Sequence, residues 1–379
     1  MCMDTNRLVQ EFVTLVQTSS ETGYEGEMSE LLKAKFKALG LRVEEDHAKE
    51  VTGHGAGNLI CTLEATQEGI DAIYFTSHMD TVVPGKEIKP VIEGDMIKTD
   101  GTTILGADDK AGIAAMLEAI RMIQEQDIPH GQVQFIITVG EESGLVGAKV
   151  LPPEKIDAVY GYALDSDGEV GEMVTAAPSQ AKIKAYVRGR TAHAGVEPEK
   201  GISAITVAAK AVAKMPLGRI DEETTANIGR FAGGTDQTNI VCDSVEITAE
   251  ARSLDSIKLE KQITAMKTAF ETAAIEMGTT CEVEVTYAYP GYKENDDAQV
   301  VQTAKAAIER CGFTARTLAS GGGSDANVIA SFGIPTINLA IGYEFIHTTK
   351  EQISITSLQK TTTLVVAIIE QMVVNGGTK

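Results

Sequence analysis

The chain has 379 residues, 43% of them apolar, and a formal net charge of −21. That length favours two domains, and the acidic balance argues against nucleic acid or an anionic membrane surface as a partner. No uninterrupted apolar run of about 18 residues occurs, so nothing is expected to span a membrane. The start, Met1-Cys2-Met3-Asp4, lacks the basic and apolar regions of a signal peptide. Five scattered cysteines (Cys2, Cys61, Cys242, Cys281, Cys311) form no C-x-x-C pair. Together these features predict a cytoplasmic protein with reduced thiols.

Helical spacing covers residues 4–17 (Leu8, Phe12, Leu15) and 25–39 (Leu31, Leu32, Phe36, Leu39), with Gly40 as a stop signal. Strand-like runs follow at Leu41–Glu45, Leu59–Leu63 and Ile73–Thr76. The loop Gly53-His54-Gly55-Ala56-Gly57 is not the G-x-G-x-x-G of a dinucleotide site, and His54 reads as solvated rather than as a ligand. The third run ends abruptly in Y-F-T-S-H-M-D-T, Tyr74–Thr81. His78 and Asp80 share parity, so a strand end would present both on one side. A metal-binding histidine needs its second ring nitrogen fixed, and a carboxylate such as Asp80 does this.

A short apolar hairpin, Val91-Ile92 to Met96-Ile97, precedes D-G-T-T-I-L-G-A-D-D-K-A-G, Asp100–Gly112. Ala107 stands where a phosphate loop needs lysine, so that reading fails. Asp108 and Asp109 remain at the mouth of a helix carrying Ile113, Met116, Leu117, Ile120 and Ile123. Capping accounts for one acid there better than for two. Val133–Val139 is a buried strand ending in G-E-E-S-G, Gly140–Gly144. Ala158–Leu164 is another, ending in Asp165. Strands alternating with helices predict an α/β sheet, which holds its ligands outside the strands' C-terminal ends.

The character changes near residue 178. A strand (Ala181–Arg188), a helix (Ile202–Lys214), strands near Ala226–Phe231 and Val245–Arg252, a helix (Ser256–Met277) and a strand (Cys281–Tyr289) follow. The order β-α-β-β-α-β is that of a ferredoxin-like α+β domain, inserted here because α/β character then returns. A helix (Ala298–Cys311), strands at Thr314–Leu318 and Ile334–Leu339, then Glu344 and His347, and a helix at Ser357–Val373 complete the chain.

The candidate metal ligands are His78, Asp108 or Asp109, Glu141 or Glu142, Asp165 and His347. Imidazole with carboxylate suits zinc, and also cobalt or manganese. The set is too large for one catalytic zinc with an open position and suits two metals sharing a carboxylate. A spare acid of the Glu141-Glu142 pair would be a general base. The residues thus support metal-assisted hydrolysis.

These motifs resemble the M20 family of di-zinc metallopeptidases, and above all its peptidase T branch of tripeptide aminopeptidases. The likeness is carried by S-H-M-D-T (Ser77–Thr81), G-A-D-D-K-A-G (Gly106–Gly112), G-E-E-S-G (Gly140–Gly144), Asp165 and His347, and it runs over essentially the whole chain. It implies a zinc-exopeptidase-like catalytic domain with a mixed sheet flanked by helices, formed by residues 1–177 and 291–379. Residues 178–290 would be the inserted ferredoxin-like lid, through which a homodimer forms. It implies two zinc ions, His78 and Asp165 on one, Glu142 and His347 on the other, and Asp108 bridging. Asp80 would orient His78. Glu141 would be the general base for a metal-bound hydroxide, and the peptide bond after Asp108 would be cis. His193 would stabilise the oxyanion, while Asn239, Arg252, Gly323 and Ser324 would contact the substrate. Arg252 suits a peptide carboxylate through bidentate pairing, though a surface salt bridge fits it as well. The expected activity is removal of the N-terminal residue from short peptides. Carboxypeptidase, dipeptidase and N-acyl-amino-acid deacylase activities use the same metals. A silent peptide-binding protein on this scaffold would lack a ligand or the base, and every one of them is present.

Overall fold

The computed structural model of the chain describes residues 3–376. They divide into two compact units. One runs to Ala176 and takes up Glu294–Ala319 and the chain from Ser324 onward; the other holds Ala177–Lys293 and Ser320–Gly323. Cys2 lies outside the described residues, and Cys61, Cys242, Cys281 and Cys311 are free thiols. Among the described residues no helix is long and apolar enough to cross a membrane.

Apolar, β-branched runs build the sheet of the first unit. Ile73–His78 and Val133–Thr138 are buried at every residue, as strands covered on both faces must be. The order is Arg42–Glu45, Leu59–Leu63, Val133–Thr138, Ile73–His78, Tyr160–Ser166, Thr336–Ala340 and Glu172–Ala177. The four strands from Val133–Thr138 to Thr336–Ala340 are parallel. Outside them, Arg316–Ala319 pairs parallel with Glu172–Ala177, while the two pairings of Leu59–Leu63 and that of Thr336–Ala340 with Glu172–Ala177 are antiparallel. The fold is thus α/β, as the alternation of elements predicts, with the mixed sheet that the resemblance implies. Phe36, Phe135, Phe75 and Tyr162 form a ring stack in its core, with centroids 6.3, 5.9 and 5.6 Å apart in turn. The strand Glu172–Ala177 and the helix Asp325–Ser331 were not expected. Six and seven residues are too few to show a period against the surrounding sequence.

Helix Thr5–Gln17 starts where Asp4 accepts the Arg7 N–H at 3.1 Å, a standard side-chain cap. It packs with helix Ile355–Gly376 against helix Ala107–Glu125, which lies on the Ile73–His78 strand. Helix Ala107–Glu125 is buried along nearly its whole length, and its approach to the sheet depends on Gly112. A Cβ there would overlap Ser77 Oγ and lie 2.8 Å from the Leu164 carbonyl oxygen. The serine can rotate away, but a strand carbonyl cannot. Gly112→Ala is therefore expected to cost about 1–3 kcal/mol, measured as a lower midpoint of urea unfolding.

The start of that helix differs from the capping expectation. Gly106 stands at the N-cap position, and Asp108 and Asp109 have non-helical backbone angles with a cis bond between them. Both aspartates are buried, so their carboxylates serve the interior and not the helix end.

A small antiparallel sheet joins Pro90–Glu93, Met96–Thr99, Gln352–Ser354 and Tyr343–Glu344. Its last two strands are the two sides of the loop that carries His347. The second unit has its own core of Ile183, Val187, Ile247, Met266 and Phe270. Its sheet runs Gly218–Arg219, Thr224–Gly233, Ser244–Ser253, Ser179–Arg188, Cys281–Tyr289, antiparallel throughout. Ser244–Ser253 alternates buried and open residues along its length, the period-two pattern of a sheet with one covered face. Helices Ala204–Lys214 and Ser256–Glu276 pack on it. Asp255 caps the second of these, accepting from Ile257 and Lys258 N–H at 2.8 and 3.0 Å.

Candidate metal centre

The parallel strands of the first unit deliver polar residues at one edge. Ile73–His78 ends in His78, Val133–Thr138 leads to Glu141 and Glu142, Tyr160–Ser166 carries Asp165, and Thr336–Ala340 leads towards His347. Gly140, at φ +59°, makes the turn after its strand. A Cβ there would meet the His54 ring at Nε2 and Cδ2. His54 is therefore not simply solvated: its Nε2 lies 3.0 Å from Ser143 Oγ, and the ring packs on the turn that carries the glutamates.

Asp108 lies between the two histidines. Its Oδ1 is 3.0 Å from His78 Nε2 and its Oδ2 is 3.2 Å from His347 Nε2. Around this axis, His347 Nε2 is 3.0 Å from Glu142 Oε1 and His78 Nε2 is 3.8 Å from Asp165 Oδ1. The possible ligand atoms of His78, Asp108 and Asp165 lie within 4.8 Å of one another, as do those of Asp108, Glu142 and His347. His78, Glu141 and Glu142 form a third such group.

Asp80 has two tasks. The His78 Nδ1–H donates to the Asp80 backbone carbonyl at 2.9 Å, with the carboxylate farther off at 3.5 Å. The fully buried carboxylate accepts the N–H groups of Glu141 and Glu142 at 3.0 and 3.2 Å. The orienting bond expected from the side chain thus comes mainly from the main chain, and the carboxylate fixes the two glutamates. With Nδ1 bonded to that carbonyl, Nε2 is the ring nitrogen that faces Asp108 and Asp165.

Burial, and after it the charges of neighbouring acids, pushes the carboxyl groups of Glu141 and Asp165 well above the usual range, although His78 pulls them down. Burial would also raise Asp108, but hydrogen bonds from His347 and His78 hold it well below that range. His347 is pushed up to about 10, first by its bond to Asp108 and then by that to Glu142. Two imidazoles and three carboxylates converging on two overlapping groups form a donor set suited to divalent metal.

Four residues here carry no motif. The Tyr343 hydroxyl donates to Asp165 Oδ1 at 3.0 Å, and Asn338 bonds both the N–H and the carbonyl of Asp165. Buried Asp325 accepts from the Thr138 hydroxyl, and burial pushes it up to about 6. Glu351 binds the backbone in front of Asp108. Among these only Asp325 adjoins residues singled out by sequence, Gly323 and Ser324.

The remaining expected residues are divided between the two units. His193, Asn239, Arg252 and Gly323 belong to the second unit. His193 is exposed, and its Nδ1 accepts the Gly195 N–H at 3.2 Å, which leaves the ring proton on Nε2. Asn239 is exposed, its carbonyl bonded to the Ala194 N–H. The Arg252 guanidinium is paired with Glu250 at 3.0 and 3.2 Å and donates to the Gly321 carbonyl at 3.3 Å. Gly323 lies so close to the Tyr289 ring that a Cβ would overlap it. Ser324, in the first unit, caps helix Asp325–Ser331 in a reciprocal pair with Asn327.

Comparison with known proteins places the chain in a family. The profile of the peptidase family M20/M25/M40 matches residues 74–371. YqjE of Bacillus subtilis is 63% identical over 365 residues, covering 96% of this chain and 98% of that protein. The crystal structure of the aminopeptidase PepT from Bacillus cereus is 65% identical with a TM-score of 0.93, covering 98% of this chain and 99% of that one. That of a tripeptidase from Staphylococcus aureus is 51% identical with a TM-score of 0.95, at the same coverages of 98% and 99%.

Proposed function

The chain belongs to the M20/M25/M40 peptidase family, and from that premise we propose that it is a di-zinc aminopeptidase removing the N-terminal residue of short peptides, tripeptides foremost. The observation that carries the reading is Asp108, one carboxylate oxygen on each of two histidines. High identity to an aminopeptidase and a tripeptidase over nearly the whole chain supports the substrate class.

His78 and Asp165 would hold one cation, Glu142 and His347 the other, and Asp108 both, with cobalt or manganese able to replace zinc. When bound, such a pair polarises a carbonyl and acidifies water. Glu141 takes the proton of the attacking water and delivers it to the leaving amine. The Asp80 carboxylate keeps Glu141 and Glu142 in place through their N–H groups. His193, with its proton on Nε2, donates to the oxyanion. Asn239, Arg252, Gly323 and Ser324 serve substrate binding in this reading. For Arg252 that requires a substrate carboxylate to share or displace Glu250.

The strand order of the second unit suits a ferredoxin-like domain, and we assign that unit, Ala177–Lys293 with Ser320–Gly323 in place of the expected 178–290, to a lid inserted in the catalytic unit. The same reading makes the protein a cytoplasmic homodimer joined through the lid. That unit leaves Val196, Ile205, Phe231 and Ile240 exposed on the single chain. Sedimentation velocity should give twice the chain mass.

Asp80→Asn should lower divalent-cation affinity and turnover about 10–100-fold, the range for residues that support metal ligands. Its single oxygen can accept only one of the two glutamate N–H groups. Equilibrium dialysis with cobalt checks this.

The test of the function is metal analysis of the purified protein combined with hydrolysis of free and N-acetylated di- and tripeptides. Two metals per chain with turnover of the free tripeptides is the expected result. Turnover confined to the blocked peptides would reassign the enzyme as a deacylase or carboxypeptidase. Failure to take up zinc, cobalt or manganese would remove the ligand assignment altogether.

A further inference from the structure

Glu351 stands four residues beyond His347 and has no part in the chemistry above. It is 1% exposed. Its Oε2 accepts the N–H groups of Leu105 and Gly106 at 2.8 Å each, and its Oε1 accepts that of Asp108 at 2.9 Å. All three donors lie at or just before the first turn of helix Ala107–Glu125, where the N–H groups have no intrahelical partner. A carboxylate is the acceptor best suited to them. The other side of Glu351 is equally tied. Its own N–H donates to the Thr348 carbonyl at 3.1 Å, and the Thr348 hydroxyl donates to the Phe345 carbonyl at 2.7 Å. These bonds close the loop in which His347 takes its positive φ of 61°. The chain then enters strand Gln352–Ser354, paired to Met96–Thr99.

We propose that Glu351 is a positioning residue, joining the backbone that carries Asp108 to the loop that carries His347 so that this pair of ligands is set before any cation arrives. The inference rests on the metallopeptidase reading for what is positioned, but the contacts themselves stand without it. Asp108 faces His347 across a sequence gap of 239 residues (347 − 108), and local sequence cannot fix such a pair. One buried carboxylate fixes both sides at once. The alternative is a buried cap that only stabilises the fold. The two differ in what happens at the metal.

The deciding experiment titrates metal-free wild type and Glu351→Gln with cobalt, following visible absorption and the thermal midpoint of the metal-free proteins. The glutamine keeps the shape of Glu351 but turns an amide group towards N–H donors. Positioning predicts that cobalt affinity falls about 10–100-fold and that the absorption band changes shape with the altered ligand field. A lower melting temperature with wild-type affinity and spectrum would overturn the proposal and leave Glu351 as a cap. If Glu351→Gln fails to fold, Glu351→Asp, which keeps the charge and shortens the reach by one methylene, takes its place. A reduced cobalt affinity with an altered band supports the proposal, and wild-type affinity and band with a lower melting temperature overturn it. Wild type that takes up no cobalt refutes the metal reading itself, a result separate from the comparison between the two proteins.

Discussion

Glu141→Ala is expected to lower kcat by about 10²–10⁴-fold, the usual contribution of a positioned general base, while the protein still binds its cations. Glu142→Ala should behave differently, losing a cation together with activity. The split follows from where the two side chains lie. Glu142 meets His347 at 3.0 Å and joins the Asp108 group. Glu141 groups with His78 and Glu142 instead, outside both groups that share Asp108. Burial, with the neighbouring acids Asp165, Asp325 and Glu142, pushes the Glu141 carboxyl well above the usual range against the pull of His78. A carboxyl that accepts a proton readily is what the transfer to a leaving amine requires. Metal content, by elemental analysis, and single-turnover kinetics on a free tripeptide separate the two variants. Near wild-type turnover by Glu141→Ala with cations in place would remove Glu141 from the mechanism. Asp325 would then be the next acid to test, since it is buried, held by Thr138 and pushed up to about 6.

Much of the catalytic unit can be read from sequence because its strands announce themselves. Tyr74–His78 and Val133–Val139 are apolar runs that stop at acids or a histidine. Charge set directly at the end of a buried strand marks the edge where an α/β sheet holds its ligand. The ambiguity at Asp108-Asp109 is a different matter. Both acids are buried at a helix start; the residues alone leave the choice open, the family resemblance implies Asp108, and Asp108 is the one that lies 3.0 and 3.2 Å from His78 and His347. The task of Asp80 was legible in part. Residue parity points it at His78, but no local pattern shows that its carboxylate would be taken up by the N–H groups of Glu141 and Glu142. Tyr343, Asn338 and Glu351 were not legible. They reach Asp165 and Asp108 across 173 to 243 residues of chain, and nothing in their neighbouring sequence marks them. Arg252 shows the opposite difficulty. Its partner Glu250 lies two residues away on the same strand face, near enough to read in E-A-R, yet a free arginine and a paired one look alike in sequence.

Asp108→Ala should abolish binding of both cations together, and kcat/KM should fall by about 10³-fold or more, matching the several kcal/mol of charge stabilisation that metals supply. Single-ligand changes should be milder in stoichiometry: Asp165→Ala and His347→Ala each remove a residue from one group only, so each is expected to retain one cation per chain. The reason is geometric. Asp108 alone belongs to both the His78–Asp165 group and the Glu142–His347 group, with a separate oxygen on each histidine. Removing it also takes from both imidazoles a carboxylate partner at hydrogen-bonding distance. The metal-free variant's thermal midpoint must therefore be measured beside its metal content, to separate loss of ligand from loss of fold. A folded Asp108→Ala protein that still carries two metals per chain would show that the two groups assemble independently. The carboxylate between the histidines would then be a structural bond. A folded variant that carries none, beside single-ligand variants that carry one, would make the two cations one cooperative unit centred on a single aspartate.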